Sequence, residues 1–193
     1  MNWTNTKGRY GVLSITMHWV MLLLLIAVYA CILLREEYPR GSDVRDALKT
    51  WHFMLGLSVL TLVIVRVAIH LTGPTPEIVP ALPLWQRRLA GAMHLALYLF
   101  LVVMPLLGWL ALSADGKPIP FFGLHLPALW GADRELAHSL EDIHETIGEI
   151  GYYLVGIHAA AALFHHYIVR DNTLLRMLPG RAQPVKARGP KAR

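Results

Sequence analysis

The chain has 193 residues, of which 55% are hydrophobic and only 16% charged, and its mean hydropathy is +0.44. Soluble domains carry about a quarter charged residues, so this composition excludes an ordinary soluble domain and points to the membrane. A single cysteine, Cys31, excludes an internal disulfide framework, a Cys-rich zinc site, an iron–sulfur cluster held by this chain alone and the C-x-x-C-H attachment of c-type haem.

A transmembrane helix needs about 20 apolar residues, and four stretches qualify in chain order. The first, Leu13–Leu34, follows Lys7 and Arg9. It is longer than a signal-peptide core and carries His18-Trp19 inside it, so it reads as a retained span. A punctuated segment with Pro39 and Gly41 leads to the second span, Thr50–Leu71. The connection Thr72–Arg88 holds Pro74, Pro76, Pro80 and Pro83 and leads to the third, Leu89–Leu112. Residues 113–138, with Gly116, Pro118, Pro120, Gly123 and Pro127, form the next loop, and Ser139–Val169 is the fourth span. The expected fold is all-α: an integral membrane four-helix bundle over residues 1–179, with a basic, disordered tail at 180–193.

Charge placement orients the bundle, because cytoplasmic segments retain Lys and Arg. Lys7, Arg9, Arg87, Arg88, Arg170, Arg176 and the basic residues of the tail share one side, where Glu77 and Asp171 are the only acids. Both termini are therefore expected to be cytoplasmic. The net charge of +5 and the pI near 9.6 follow from topology and from attraction to anionic lipid, so nucleic acid is not an expected partner.

Ten histidines are the anomaly in so apolar a chain, since an intramembrane histidine is costly and usually functional. His144 and His158 are fourteen residues apart in the fourth span, about 21 Å along a helix and on nearly the same face. With the orientation above, His18 of the first span is level with His158 on the inner side, and His52 of the second is level with His144 on the outer side. Two imidazoles from facing helices at each level suit axial ligation of a haem in a helix bundle. Gly56, Gly148 and Gly151 would let the same faces admit a flat ring; helix packing through small residues is the alternative. Arg66 falls on the His52 face at the inner level, where a haem propionate is its natural partner. His94, early in the third span, is a spare inner ligand or a contact to that haem, and His70, His125 and His138 read as interfacial.

Several runs together resemble the bacterial cytochrome b561 family: Ser14-Ile15-Thr16-Met17-His18-Trp19, Trp51-His52 with Gly56, Arg66, His94 with Tyr98 and Pro105, and His144-Glu145-Thr146. The fourth span adds Gly151-Tyr152-Tyr153 and His158 through Tyr167, followed by Asp171-Asn172-Thr173-Leu174-Leu175-Arg176-Met177. The resemblance extends from about Tyr10 to Pro179 and is strongest to the small di-haem superoxide oxidases. It implies two b haems stacked across a bacterial inner membrane, ligated by His18 with His158 and by His52 with His144, and ubiquinone as electron acceptor. It also implies superoxide as the donor on the periplasmic side; the compact chain and its short outer loops suggest no obligate protein partner.

Quinone reduction takes up protons, and His165, with His166 second, is the expected proton donor because imidazole titrates near neutral pH. The outer loops hold more acids than bases, so only a local cluster, Arg45, Lys49 and Lys117, is expected to steer the superoxide anion. The competing reading is a quinone-linked electron-transfer cytochrome b that serves a periplasmic redox protein. A transporter or assembly subunit would leave the paired histidines unexplained.

Overall fold

A computed structural model describes residues 2–180; the expected tail from Arg181 onward lies outside the described residues. Four helices long and apolar enough to cross a membrane dominate it: α1 (Val12–Leu34), α2 (Asp43–Leu71), α3 (Leu84–Ala114) and α4 (Arg134–Phe164). In sequence order they pack α1 on α2, α2 on α3 and α3 on α4. Leu23, Ile26, Ile64, Leu95, Leu99, Ile157 and Leu163 face outward, the arrangement a hydrocarbon solvent favours.

Helices α2 and α4 begin before their apolar stretches because polar residues cap them. The Ser42 hydroxyl accepts from the Arg45 backbone N–H at 3.4 Å, and Asp43 and Asp46 occupy the first turn of α2, where carboxylates suit the helix dipole. Asp133 caps α4 in the same way through Leu136 N–H at 3.1 Å. Near the start of α1, Asn5 Oδ1 accepts from Gly11 N–H at 3.0 Å and from the Ser14 hydroxyl at 2.7 Å, folding the N-terminal segment back against the helix. Pro105 sits inside α3; its missing N–H is tolerated because a bundle can satisfy the freed carbonyl by other means.

The loop expected at residues 113–138 contains an unforeseen hairpin, β1 (Ile119–Phe121) with β2 (Leu124–Leu126), paired Ile119 with Leu126. Its turn uses Phe122 at φ 48° and Gly123 at φ 85°, the two positive values that a two-residue hairpin of type I′ requires. Ile119 packs with Leu57 and Leu112, so the hairpin closes one end of the bundle. Met21, Val59 and Val63 form the core between α1 and α2 and are 4%, 2% and 0% exposed.

The opposite end is closed by chain segments that flank the helices. After α4, residues His165–Val169 form a π-helical turn that Arg170 ends in the left-handed conformation, φ 61°. The chain then reverses onto the 76–79 segment. Asn172 Oδ1 accepts from Val79 N–H at 2.9 Å, its amide donates to Glu77 O at 3.3 Å, and Arg176 donates to Pro76 O. Arg9 donates to Leu178 O at 2.8 Å and Trp19 Nε1 to Met177 O at 2.8 Å, which ties α1 to the same clasp.

Candidate functional site: two histidine pairs at opposite ends of the bundle

His52 and His144 face each other from α2 and α4, with ring centres 6.1 Å apart and planes at 78°. At the clasp end His18 and His158 face each other from α1 and α4 at 6.3 Å and 61°. A metal–imidazole bond of about 2.0 Å, with the ring centre about 1.1 Å behind its nitrogen, puts two axial rings about 6 Å apart. Both pairs therefore have the separation that a metal held between two imidazoles would need.

The hairpin-end pair has the more complete surroundings. A cavity of about 570 Å³ encloses it, within the range that holds cofactors. Phe100, Met104, Pro105 and Leu25 line its deep part, and Lys49, Lys117, Asp115, His138 and Glu141 its polar part. The His52 Nδ1–H donates to the Val28 carbonyl at 3.0 Å. That bond fixes the proton on Nδ1 and leaves the Nε2 lone pair for a metal, the usual outer support of a ligating histidine. His144 Nδ1 is buried near the Met104 backbone and makes no well-formed hydrogen bond among the described residues. Its ring rests on Gly108, where a Cβ would come within 3.3 Å of Cε1.

Of the three glycines read as ring-admitting, Gly56 and Gly148 line this cavity. Gly151 does not: Phe100 and the Tyr29 hydroxyl occupy the space a side chain would need there, so it serves close packing between the two levels. Tyr29 also donates to Gly148 O at 2.7 Å and stacks on Tyr152 at 4.3 Å, forming a floor of aromatic rings beneath the cavity.

The clasp-end pair is more crowded. His94 of α3 stands 5.8 Å from His158, closer than His18 does. Arg66 lies beside the pair, with Nη2 3.4 Å from His18 Nδ1 and Nη1 3.5 Å from Ser14 O. An arginine can only donate, so in this arrangement His18 carries its proton on Nε2.

The remaining expected residues fall in different settings. His165 Nδ1 pairs with Asp171 Oδ2 at 2.6 Å, and the Asp171 side chain is 0% exposed, its other oxygen accepting from Thr173 N–H at 2.8 Å. His166 packs edge-on against the neighbouring Tyr167 ring. Lys49 and Lys117 line the cavity, Lys117 paired with Asp115 and Lys49 with its ammonium 5.9 Å from the Phe53 ring centre. Arg45 is engaged elsewhere, donating to Arg35 O and Tyr38 O and pairing with Glu36. His138, read as interfacial, is a cavity residue.

The residues fit b-type haem: two opposed pairs at axial spacing, one with its tautomer set for ligation and a cavity of suitable size beside it. Comparison with known proteins points the same way. The sequence profile described as prokaryotic cytochrome b561 matches residues 9–180. The chain is 39% identical to "Cytochrome b561 homolog 1" of Escherichia coli (strain K12) over 174 residues, 90% of this chain and 99% of that protein. It is 38% identical to "Probable superoxide oxidase CybB" of Yersinia pestis over 171 residues, 89% and 96% of the two chains. "Cytochrome b561 homolog 2" of Escherichia coli (strain K12) is 33% identical over 182 residues, 92% and 95%. The chain belongs to the prokaryotic cytochrome b561 family of membrane electron-transfer proteins, which carry haem b.

Proposed function

We propose that the protein is a superoxide oxidase of the bacterial inner membrane: a di-haem cytochrome b, both termini cytoplasmic, that takes electrons from periplasmic superoxide and delivers them to ubiquinone. His52 with His144 and His18 with His158 hold the two haems, which supply one-electron transfer across the bundle. Two superoxide anions give up two electrons and leave as dioxygen, while one quinone gains those electrons and two protons to become quinol.

The observation that carries this reading is Lys49 in the wall of the His52–His144 cavity, a cation with no carboxylate within 4 Å among the described residues. It offers a small anion an attractive approach to the donor side. A relative of similar length bears the name "Probable superoxide oxidase CybB". At the other end, His165 Nδ1 is held by the buried Asp171 carboxylate, which orients the ring so that its other nitrogen, Nε2, would exchange a proton with a quinone oxygen within hydrogen-bond reach. Arg66, beside His18, is the partner proposed for a propionate of the nearer haem.

A second reading has one observation in its favour. Glu36, Glu141, Glu145 and Glu149 also line the cavity, and that surplus of acid would suit a basic redox protein as donor. Stopped-flow mixing of the purified holoprotein with superoxide, with and without ubiquinone, separates the two. Superoxide oxidase predicts haem reduction within the mixing phase and quinol formation; no reduction above the rate of spontaneous dismutation returns the assignment to a protein donor.

A further inference from the structure

Beneath the His18–His158 pair, two guanidinium groups converge on one phenol with no carboxylate of their own. Arg176, in the turn after α4, is 9% exposed; one nitrogen donates to Pro76 O, and its Nε is buried without a partner. Its guanidinium carbon lies 5.6 Å from the Tyr10 ring centre. Arg66 reaches Ser14 O, four residues beyond Tyr10, and the fields of Arg176 and Arg66 both oppose the rise that burial gives the Tyr10 phenol. Burial likewise pulls the Arg176 guanidinium below its ordinary range, opposed by Tyr10 and Asp171. Asp171 acts on it only through space, since its oxygens bond His165 and Thr173 and neither lies within 4 Å of the guanidinium. Among the described residues neither Arg66 nor Arg176 has a carboxylate within 4 Å.

Two guanidinium groups without a carboxylate in contact are costly to desolvate at the end of a membrane bundle. Arg66 meanwhile sits where it hinders ligation, since its contact holds the His18 proton on Nε2. A ligand with anionic oxygens between the two arginines removes both penalties: it neutralises them, and it draws Arg66 away from His18 Nδ1 so that Nε2 can bind iron.

We infer that Arg176, with Arg66 and the Tyr10 hydroxyl, forms a carboxylate clamp for the propionates of the haem held by His18 and His158. This rests on the di-haem reading above and adds a cofactor-binding residue contributed by the turn that follows α4. The clamp would make insertion of that haem and closure of the terminal clasp one event, because Arg176 also donates to Pro76 O. A phospholipid headgroup offers similar anionic oxygens and is the rival occupant.

The test is potentiometric titration of purified holoprotein in neutral detergent, before and after adding phosphatidylglycerol, for the parent, Arg176→Gln and Arg176→Lys. The haem concerned is identified as the one that persists in the His144→Ala protein. Arg176→Gln should disfavour its reduction about tenfold, a fall of 59 mV for one electron, with the other haem unmoved. Arg176→Lys should restore most of the loss by keeping the charge, and phosphatidylglycerol should change nothing. Should the glutamine variant lose its haem, redox-difference infrared spectra of the lysine variant with 13C-labelled propionates serve instead, and the carboxylate bands should shift. An unmoved potential, equal shifts of both haems, or unshifted carboxylate bands overturn the clamp, and a potential that follows phosphatidylglycerol assigns the site to lipid. Absence of a b-type spectrum in the parent would instead sink the di-haem reading itself.

Discussion

At the hairpin end, His52 and His144 look across a cavity, and a backbone carbonyl has already chosen the His52 tautomer. At the clasp end, His18 and His158 share their space with His94 and Arg66, and His18 is held in the opposite tautomer. The two pairs have nearly the same separation, yet their surroundings suit different tasks. A site that receives electrons from a small solute needs an approach and a preset ligand, which the hairpin end has. A site that couples electrons to protons needs titratable groups nearby, and His165 with Asp171 stands in the clasp beyond the second pair.

The largest effect that would break this comparison is loss of a haem. His52→Ala or His144→Ala should remove the haem at that level and leave the other, read as haem per chain from the pyridine haemochrome spectrum. His18→Ala should be milder, because His94 already stands 5.8 Å from His158 and can replace the missing ligand. Equal losses at both ends would mean that the crowding around His158 supplies no substitute.

Much of the fold was legible because apolar runs of about 20 residues allow few readings in a membrane. The helix ends were less so: Ser42 and Asp133 extend α2 and α4 outward through polar residues that a hydropathy argument discards. The histidine levels were read from spacing together with the alternating direction of the spans, since a helix converts fourteen residues into a height and a face. Contacts made by chain reversal were not readable in that way. His165 and Asp171 meet because a π-helical turn ends in a left-handed Arg170, and no periodicity announces either feature. In the sequence Arg176 read as one more basic residue on the expected cytoplasmic side and as part of a run shared with the family; its burial against Pro76 and Tyr10 depends on the clasp. Arg45 failed in the opposite direction. It looked free to steer an anion, but its guanidinium staples the turn between α1 and α2.

Two predictions sharpen the division of labour between the ends. His165→Ala, with both haems bound, should leave reduction by superoxide unchanged and slow reoxidation by ubiquinone about tenfold or more, the usual scale for losing a positioned acid. Asp171→Asn should do the same to a lesser extent, since it removes the partner that orients the imidazole and keeps the imidazole itself. Unchanged reoxidation in stopped-flow traces would move quinone reduction to the hairpin end and erase the contrast. Arg66→Leu should lower the potential of the clasp-end haem alone, by a severalfold change in its reduction equilibrium, because a nearby cation favours the less positive reduced state. A redox titration in which only the hairpin-end haem moved would reject the placement of Arg66.

The smallest expected effect separates two lysines in one cavity wall. Lys117 is paired with Asp115, so its field beyond a few ångströms is largely cancelled, whereas Lys49 has no such partner among the described residues and rests beside the Phe53 ring. Steering of a small anion depends on the net field at the entrance, and salt screens it over about 10 Å at 0.1 M. Lys49→Gln should therefore slow superoxide-driven haem reduction about two- to threefold at low ionic strength, a difference that shrinks as salt is added. Lys117→Gln should change the rate less, and should even slow it through a newly unpaired Asp115 rather than through its own lost charge; the double replacement of Lys117 and Asp115 by their neutral analogues would then restore the parent rate. If Lys117→Gln proves the stronger variant and the double replacement fails to rescue it, the approach of the anion runs past the hairpin and not along the α2 wall that carries Lys49.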